Sequence, residues 1–314
     1  MTYLLPDGTN RYKANLHCHS TLSDGRMTPE ALKDAYIGEG YSIIAFTDHD
    51  RYYDHSDLCD DKFLAINSFE ADISDWAVDS GSYRRCYHLN AYHKTQAKAL
   101  SVPPVPPYRD IDAINEYIEK LKSMGFLVAY NHPYWSLQSL DDYRNLKGVF
   151  AMEIFNYSAS IDGTDGDMIQ AYTEMLRMGN RLYCTMTDDN HDAVPVGKPG
   201  NDSFGGFCVI FAKSLEYSEV IRALEQGSFY CSQGPAFEEL TYEDGTVYVK
   251  CSPAKRIAFR TLGRRGETLF SEKEGFLTQA SFKTQRDDVL VRVEITDETG
   301  KKANTNAYFL DTIK

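Results

Sequence analysis

The 314-residue chain contains no apolar run of about 18 residues and no leader in which charge precedes a short apolar stretch. Neither a membrane span nor a secretory signal is therefore expected. Its seven cysteines form no Cys-x-x-Cys pair and leave an odd total, which argues against a disulfide framework and for reduced thiols in the cytoplasm. Basic clusters are lacking too. Lys and Arg number 33 against 46 Asp and Glu, a formal net charge of -13, and the longest basic groupings are the pairs Arg84-Arg85 and Arg264-Arg265. Extended nucleic acid, which is held by clustered cations that release counterions, is excluded as an expected partner. No Ser-His-Asp arrangement, thiolate nucleophile or glycine-rich dinucleotide loop is convincingly placed either.

What is present is a series of metal-ligand residue types at strand ends. In Asn15-Leu16-His17-Cys18-His19, side chains alternate between faces, so His17 and His19 point one way and Cys18 the other. Asp24 lies on the turn beyond, in Ser23-Asp24-Gly25, and His49 closes a second apolar run, 42–46. The arrangement then repeats. The run 62–69 ends at Glu70, 85–92 at His93, 126–131 at His132, and 181–188 leads into Asp189-Asn190-His191. The run 149–155 ends instead in Asn156-Tyr157, a neutral polar group facing the same rim. A His-x-His pair alone is weak evidence, because exposed polar strands carry such pairs; the repetition is what gives it weight.

Helix signals separate these runs. Thr28 is a good N-cap before Pro29, with Ala31, Leu32, Ala35 and Tyr36 as an apolar stripe. Asp110 opens a second helix with Ile111, Ile114, Ile118 and Leu121 on one face, and 167–179 predicts a third. Alternating strands and helices favour an α/β fold with a parallel sheet. About seven strands precede residue 192, and right-handed crossovers would close them into an irregular seven-stranded barrel whose strand C-termini share one face. Past Ser232-Gln233-Gly234-Pro235 the pattern becomes short strands and turns, so we expect a barrel over 1–232 and a small β-sandwich-like domain over 233–314.

Taken together, His17-Cys18-His19, Ser23-Asp24-Gly25, Thr47-Asp48-His49, Glu70, His88 to His93, Asn131-His132-Pro133 and Asp189-Asn190-His191 resemble the polymerase and histidinol phosphatase (PHP) family of metallohydrolases over roughly residues 10 to 230. The resemblance implies a distorted (β/α)7 barrel with a two- or three-metal centre and suggests phosphoesterase activity. It also implies His17, His19, Asp24, His49, Glu70, His93, His132, Asp189 and His191 as ligands, with Asp189 preferred to Asp188 by its Asp-x-His spacing. His88 and His93 are an odd number apart, so only one should face the metals. His93, at the strand end, is the better placed, and a bulge would substitute His88. Asp48 is expected to orient a ligand imidazole from behind.

Zn, Mn and Fe all suit such mixed imidazole and carboxylate ligands. Metals of this kind activate water and stabilise phosphoryl charge, so the expected reaction is hydrolysis of a small phosphorylated metabolite or nucleotide. Arg84, His88, Asn156 and Lys198 are the candidate substrate contacts. Hydrolysis of an amide, ester or carbamate is the alternative within the same chemistry, and a non-catalytic, metal-stabilised binding protein is the alternative outside it. The sequence is compatible with a homo-oligomer.

Overall fold

The computed structural model describes residues 1–76 and 84–313. After the two-residue strand β1 (Thr2–Tyr3), β2 (Asn10–Cys18) leads into α1 (Pro29–Gly38), where the Thr28 hydroxyl accepts from the Ala31 N–H and Leu32 and Tyr36 are buried, as the capping pattern predicts. Next come β3 (Ile43–Phe46), β4 (Leu64–Ser74), β5 (Cys86–His93), α2 (Ile111–Ser123) capped by Asp110, and β6 (Phe126–Tyr130). A short α3 (Leu140–Tyr143), β7 (Ala151–Asn156), α4 (Tyr157–Ile161), α5 (Ile169–Arg177) and β8 (Tyr183–Thr187) follow. No described helix is long and apolar enough to cross a membrane.

Strands β2 to β8 are neighbours in sequence order within one mixed sheet. The pairs β2/β3, β3/β4, β6/β7 and β7/β8 are parallel, but β5 is antiparallel to both β4 and β6. The expectation of a purely parallel arrangement is therefore corrected at β5, whose N-terminal end lies on the rim where the other strands have their C-terminal ends. The two ends of this path meet at the same rim: the His19 N–H donates to the Asn190 carbonyl at 3.1 Å, and the Asp189 N–H donates to the His17 carbonyl at 2.9 Å.

Period-two alternation explains how these strands are sandwiched. Ile43 and Ala45 join the main core with Ile66 and Ala91, whereas Ile44 and Phe46 join Cys18, Leu32 and Tyr36 under α1. Cys18 thus packs away from His17 and His19, as the alternation requires.

The sheet does not stop at β2. It continues through β9 (Phe207–Ala212) and, after α6 (Tyr217–Gln226), through β10 (Phe229–Ser232). Beyond Ser232 lie β11 (Phe237–Glu243), β12 (Thr246–Ala254), β13 (Arg256–Arg260), β14 (Gly266–Phe270), β15 (Leu277–Lys283), β16 (Leu290–Thr296), β17 (Lys302–Thr305) and β18 (Tyr308–Phe309). β17, β16, β13 and β14 extend the large sheet from β10, and β1, β11, β12 and β15 form a second, four-stranded sheet. Leu240, Val247, Val249 and Phe282 from the smaller sheet share an apolar core with Ile257, Phe259, Val293 and Ile295 from the larger. Asp244-Gly245 makes the β11/β12 hairpin turn with both residues at positive φ, which is why glycine follows an aspartate there.

Candidate metal centre

Glu70, wholly buried on β4, is the hub of the rim. Five imidazole nitrogens surround its carboxylate: Nε2 of His17 at 3.2 Å, of His19 at 3.3 Å and of His132 at 3.4 Å, with Nδ1 of His49 at 3.2 Å and of His88 at 3.1 Å. Asn131 donates its amide to Glu70 Oε1 at 2.7 Å. Asp189 joins the same group, its Oδ1 standing 3.0 Å from Nε2 of both His17 and His19. Farther out, Asp24 lies 3.7 Å from His19, 3.7 Å from His49 and 3.5 Å from His191. The rim therefore gathers eight of the nine residues that the resemblance implied.

His93 is the exception, and strand direction is the reason. Because β5 runs antiparallel, its C-terminal residue sits at the far end, where the His93 ring lies 2.5 Å from the Thr95 carbonyl and 3.2 Å from that of Met124. His88, near the strand's start, is at the rim instead, between Glu70 and Asp72, the latter 3.3 Å from its Nε2. The odd spacing does divide the two imidazoles; the direction of the strand decides which of them meets Glu70.

Other expected contacts are also redrawn. Asp48 touches no imidazole among the described residues; it accepts from the Ser20 N–H at 2.9 Å and the Ser23 hydroxyl at 2.8 Å, fixing the turn that presents Asp24. Asn156 braces carboxylates, donating to Glu153 at 3.2 Å and to Asp189 at 3.0 Å while its oxygen caps α4. That leaves it poorly suited to hold substrate. Arg84 donates to the Ser74 hydroxyl and stacks over exposed Trp76, and neither it nor exposed Lys198 lines the cavity beside the cluster. Asp188 turns away from the cluster to accept the N–H groups of Phe204, Gly205 and Gly206, each at 2.8 Å, which leaves the cluster to Asp189.

Sequence reasoning missed Glu153, whose Oε1 lies 2.6 Å from His17 Nδ1. It lies inside β7 rather than at its end, three residues before Asn156. A register shift between Glu153 and Phe155 in the β7/β8 pairing allows both side chains to serve the rim.

The electrostatics are those of charge brought close together. Burial opposes protonation of His17, but Asp189, Glu70 and Glu153 outweigh it and push its pKa well above the usual value. Glu70 and Asp189 are held well below the ordinary carboxylate range by the surrounding imidazoles, despite the opposing effect of burial. Burial opposes the charge on His191 as well, yet Asp24 and Asp189 raise its pKa to about 9, whereas burial lowers that of His49 to about 4.

The donor set fits divalent cations. Buried atoms His19 Nδ1, His49 Nδ1, Glu70 Oε2 and His132 Nε2 make no hydrogen bond, a costly arrangement for atoms shut away from water unless something else satisfies them. Among the described residues four groups of donors are compact enough to share an ion: His19, Asp24, His49 and His191; His17, His19, Glu70 and Asp189; His49, Glu70 and His88; and His17, His132 and Glu153. Two cluster residues also carry backbone strain. His132 has φ of 24° and Asp189 of 54°, conformations rare outside glycine. A cavity of about 290 Å³ opens onto the cluster, walled also by Trp135, Ser158, Asp162 and Asp202.

No protein-family model matches the chain, and no curated protein matches it. Among solved structures, the chain is similar to a Bacteroides vulgatus protein described as a two-domain protein containing a predicted PHP-like metal-dependent phosphoesterase. The identity is 18%, the TM-score 0.51, and the match covers 98% of each chain. A candidate metal-dependent phosphoesterase from Bifidobacterium adolescentis (16% identity, TM-score 0.40) is matched over 60% of this chain and 91% of its own. An amidohydrolase from Chromobacterium violaceum (14%, TM-score 0.39) is matched over 57% and 87%. At these identities the first likeness speaks to the fold alone, and the weaker two carry no argument.

Proposed function

We propose that this protein is a metal-dependent phosphoesterase that hydrolyses a small phosphorylated metabolite or nucleotide, with two or three divalent ions held by His17, His19, Asp24, His49, Glu70, His88, His132, Asp189 and His191. We take the path β2 to β8 as a distorted (β/α)7 barrel and the strands after residue 232 as a second domain. The observation that carries the reading is the convergence of five imidazoles on buried Glu70 with donor atoms left unpaired around it. Bound there, divalent ions would lower the pKa of a coordinated water and offset charge on a phosphoryl group.

The chain's own residues supply the rest. Glu70, centred among the imidazoles, is suited to a position between two ions, and Asn131 fixes its rotamer. Asp24, half-exposed at the mouth, is suited to the outer position with His49 and His191. Trp135 packs against His88 and His132, with ring centroids 5.8 and 5.0 Å away, and shields that side of the cluster from solvent.

One observation favours a second reading. No Lys or Arg lines the cavity among the described residues, so a phosphate would rest on the metals alone. An amide, ester or carbamate needs no such cation, and hydrolysis of one is the alternative. A panel of phosphomonoesters, short nucleotides and carbonyl esters and amides, assayed with Mn²⁺, Zn²⁺ or Fe²⁺, separates the two. We expect turnover on phosphoesters; a fully metallated protein that cleaves only carbonyl substrates, or nothing, would overturn the proposal.

A further inference from the structure

Glu153 is a wholly buried carboxylate whose two oxygens each have two partners. Its Oε1 stands 2.6 Å from His17 Nδ1 and accepts from the Thr187 hydroxyl at 2.7 Å; its Oε2 accepts from the His132 N–H at 3.1 Å and the Asn156 amide at 3.2 Å. Nothing in the sequence marks it as a rim residue, and it sits behind His17 rather than in the cavity.

Two roles are open to such a group: ligand, or support for a ligand. The 2.6 Å separation decides between them. Two donors on one ion, each about 2.0–2.2 Å from it, stand roughly 3 Å or more apart, whereas a nitrogen and an oxygen sharing a proton approach this closely. A proton on His17 Nδ1, given to Glu153, leaves the lone pair of Nε2 aimed at the point where His19 Nε2, Glu70 Oε1 and Asp189 Oδ1 lie 3.1, 3.2 and 3.0 Å away. The same carboxylate reaches two other cluster residues, His132 through its backbone N–H and Asp189 through the Asn156 amide.

We infer that Glu153 is a positioning residue: it fixes the tautomer and aim of His17, and through Asn156 and the His132 backbone it holds three ligands in one geometry. This rests on the metal reading above but not on phosphoesterase activity.

The first test replaces it, Glu153→Gln. The variant keeps the size, but its amide would place N–H groups against two existing donors. With zinc alone as the probe, competition against a chromophoric chelator should show one bound ion weakened by about 10–100-fold, the range for loss of a carboxylate behind a ligating imidazole. Thr187→Val, which touches the same Oε1 but no imidazole, should bind zinc as the natural chain does. Unchanged zinc affinity in folded Glu153→Gln, or equal losses in both variants, would overturn the inference.

A second measurement uses the unaltered chain. Nitrogen-15 NMR of histidine-labelled, zinc-loaded protein should find His17 protonated at Nδ1 and coordinated through Nε2; the opposite tautomer would overturn the inference. Wild-type protein that takes up no zinc removes its premise. Metal-loaded protein inert towards every phosphoester removes the proposed function and leaves the role of Glu153 standing.

Discussion

His88 and His93 stand towards opposite ends of β5, and only His88 reaches Glu70, its Nδ1 lying 3.1 Å from Oε1. The pair separates two effects of losing an imidazole. His88→Ala should lower metal content and activity together. His93→Ala should keep the metals and cost about 1–3 kcal/mol of stability, because a buried ring that bonds carbonyls is removed. Elemental analysis beside thermal melts of both variants reads the difference; metal loss in His93→Ala alone would reverse the assignment.

Glu70 offers the sharpest loss. Glu70→Gln keeps the shape and removes the charge that five imidazoles face. Activity should fall by more than about 100-fold, beyond the range seen when only a supporting carboxylate is lost, and metal stoichiometry should fall with it. Dialysed protein assayed for both quantities provides the check.

Metal uptake should depend on pH in a definite direction. Without metal, His191 has its pKa raised to about 9 by Asp24 and Asp189 against the opposing effect of burial, so it is charged at neutral pH and must release a proton before it can ligate. Apparent zinc affinity should therefore weaken as pH falls below about 9; affinity flat between about pH 6 and 9 would refute this. The same shift bears on stability with the opposite slope. A folded pKa above the unfolded value of about 6.5 contributes stability that is complete below about 6.5 and is lost as pH rises through about 9. Metal-free His191→Gln should lose that part of the pH dependence in chemical denaturation.

Gly206 is required by close backbone approach rather than by a left-handed turn. A Cβ there would stand 2.4 Å from the Thr187 carbonyl oxygen, beside the point where the Gly206 N–H binds Asp188. Gly206→Ala should destabilise by about 3 kcal/mol, the upper part of the range for overpacking, and should weaken metal binding by displacing the segment that precedes Asp189. Denaturant titration and zinc competition on the same preparation test both effects.

Much of this site is legible in the amino-acid sequence, because side-chain alternation and strand ends follow local rules. His17, His19 and Cys18 sort onto opposite faces by period two, and Thr28-Pro29 and Asp110 announce their helices. Hydrophobic periodicity carries no direction, however: a strand reads the same whether it runs with or against its neighbours. For that reason periodicity puts His93 at the wrong end of the molecule. Glu153 escapes for another reason, since a register irregularity changes which residues share a face without leaving a mark in residue type. Asp48 and Asn156 have the right chemistry to orient an imidazole or to hold a substrate, and only tertiary contacts show that their hydrogen bonds are directed elsewhere.

The run of strands through β9 and β10 has a mechanical implication. Thr305 pairs with Tyr230, Tyr230 with Val209, and Val209 with Lys13, a single crosswise row that ends four residues before His17. Severing the polypeptide at residue 232 would strip β10 of its β17 neighbour and deprive the Thr2–Tyr3 segment of its β11 partner, so the strands beyond it act as a buttress for the strands that carry the imidazole cluster rather than as detachable cargo. Amide exchange in β17 should accordingly slow or quicken in step with that in β2, and damage at the far edge of the sheet should be felt at the imidazoles.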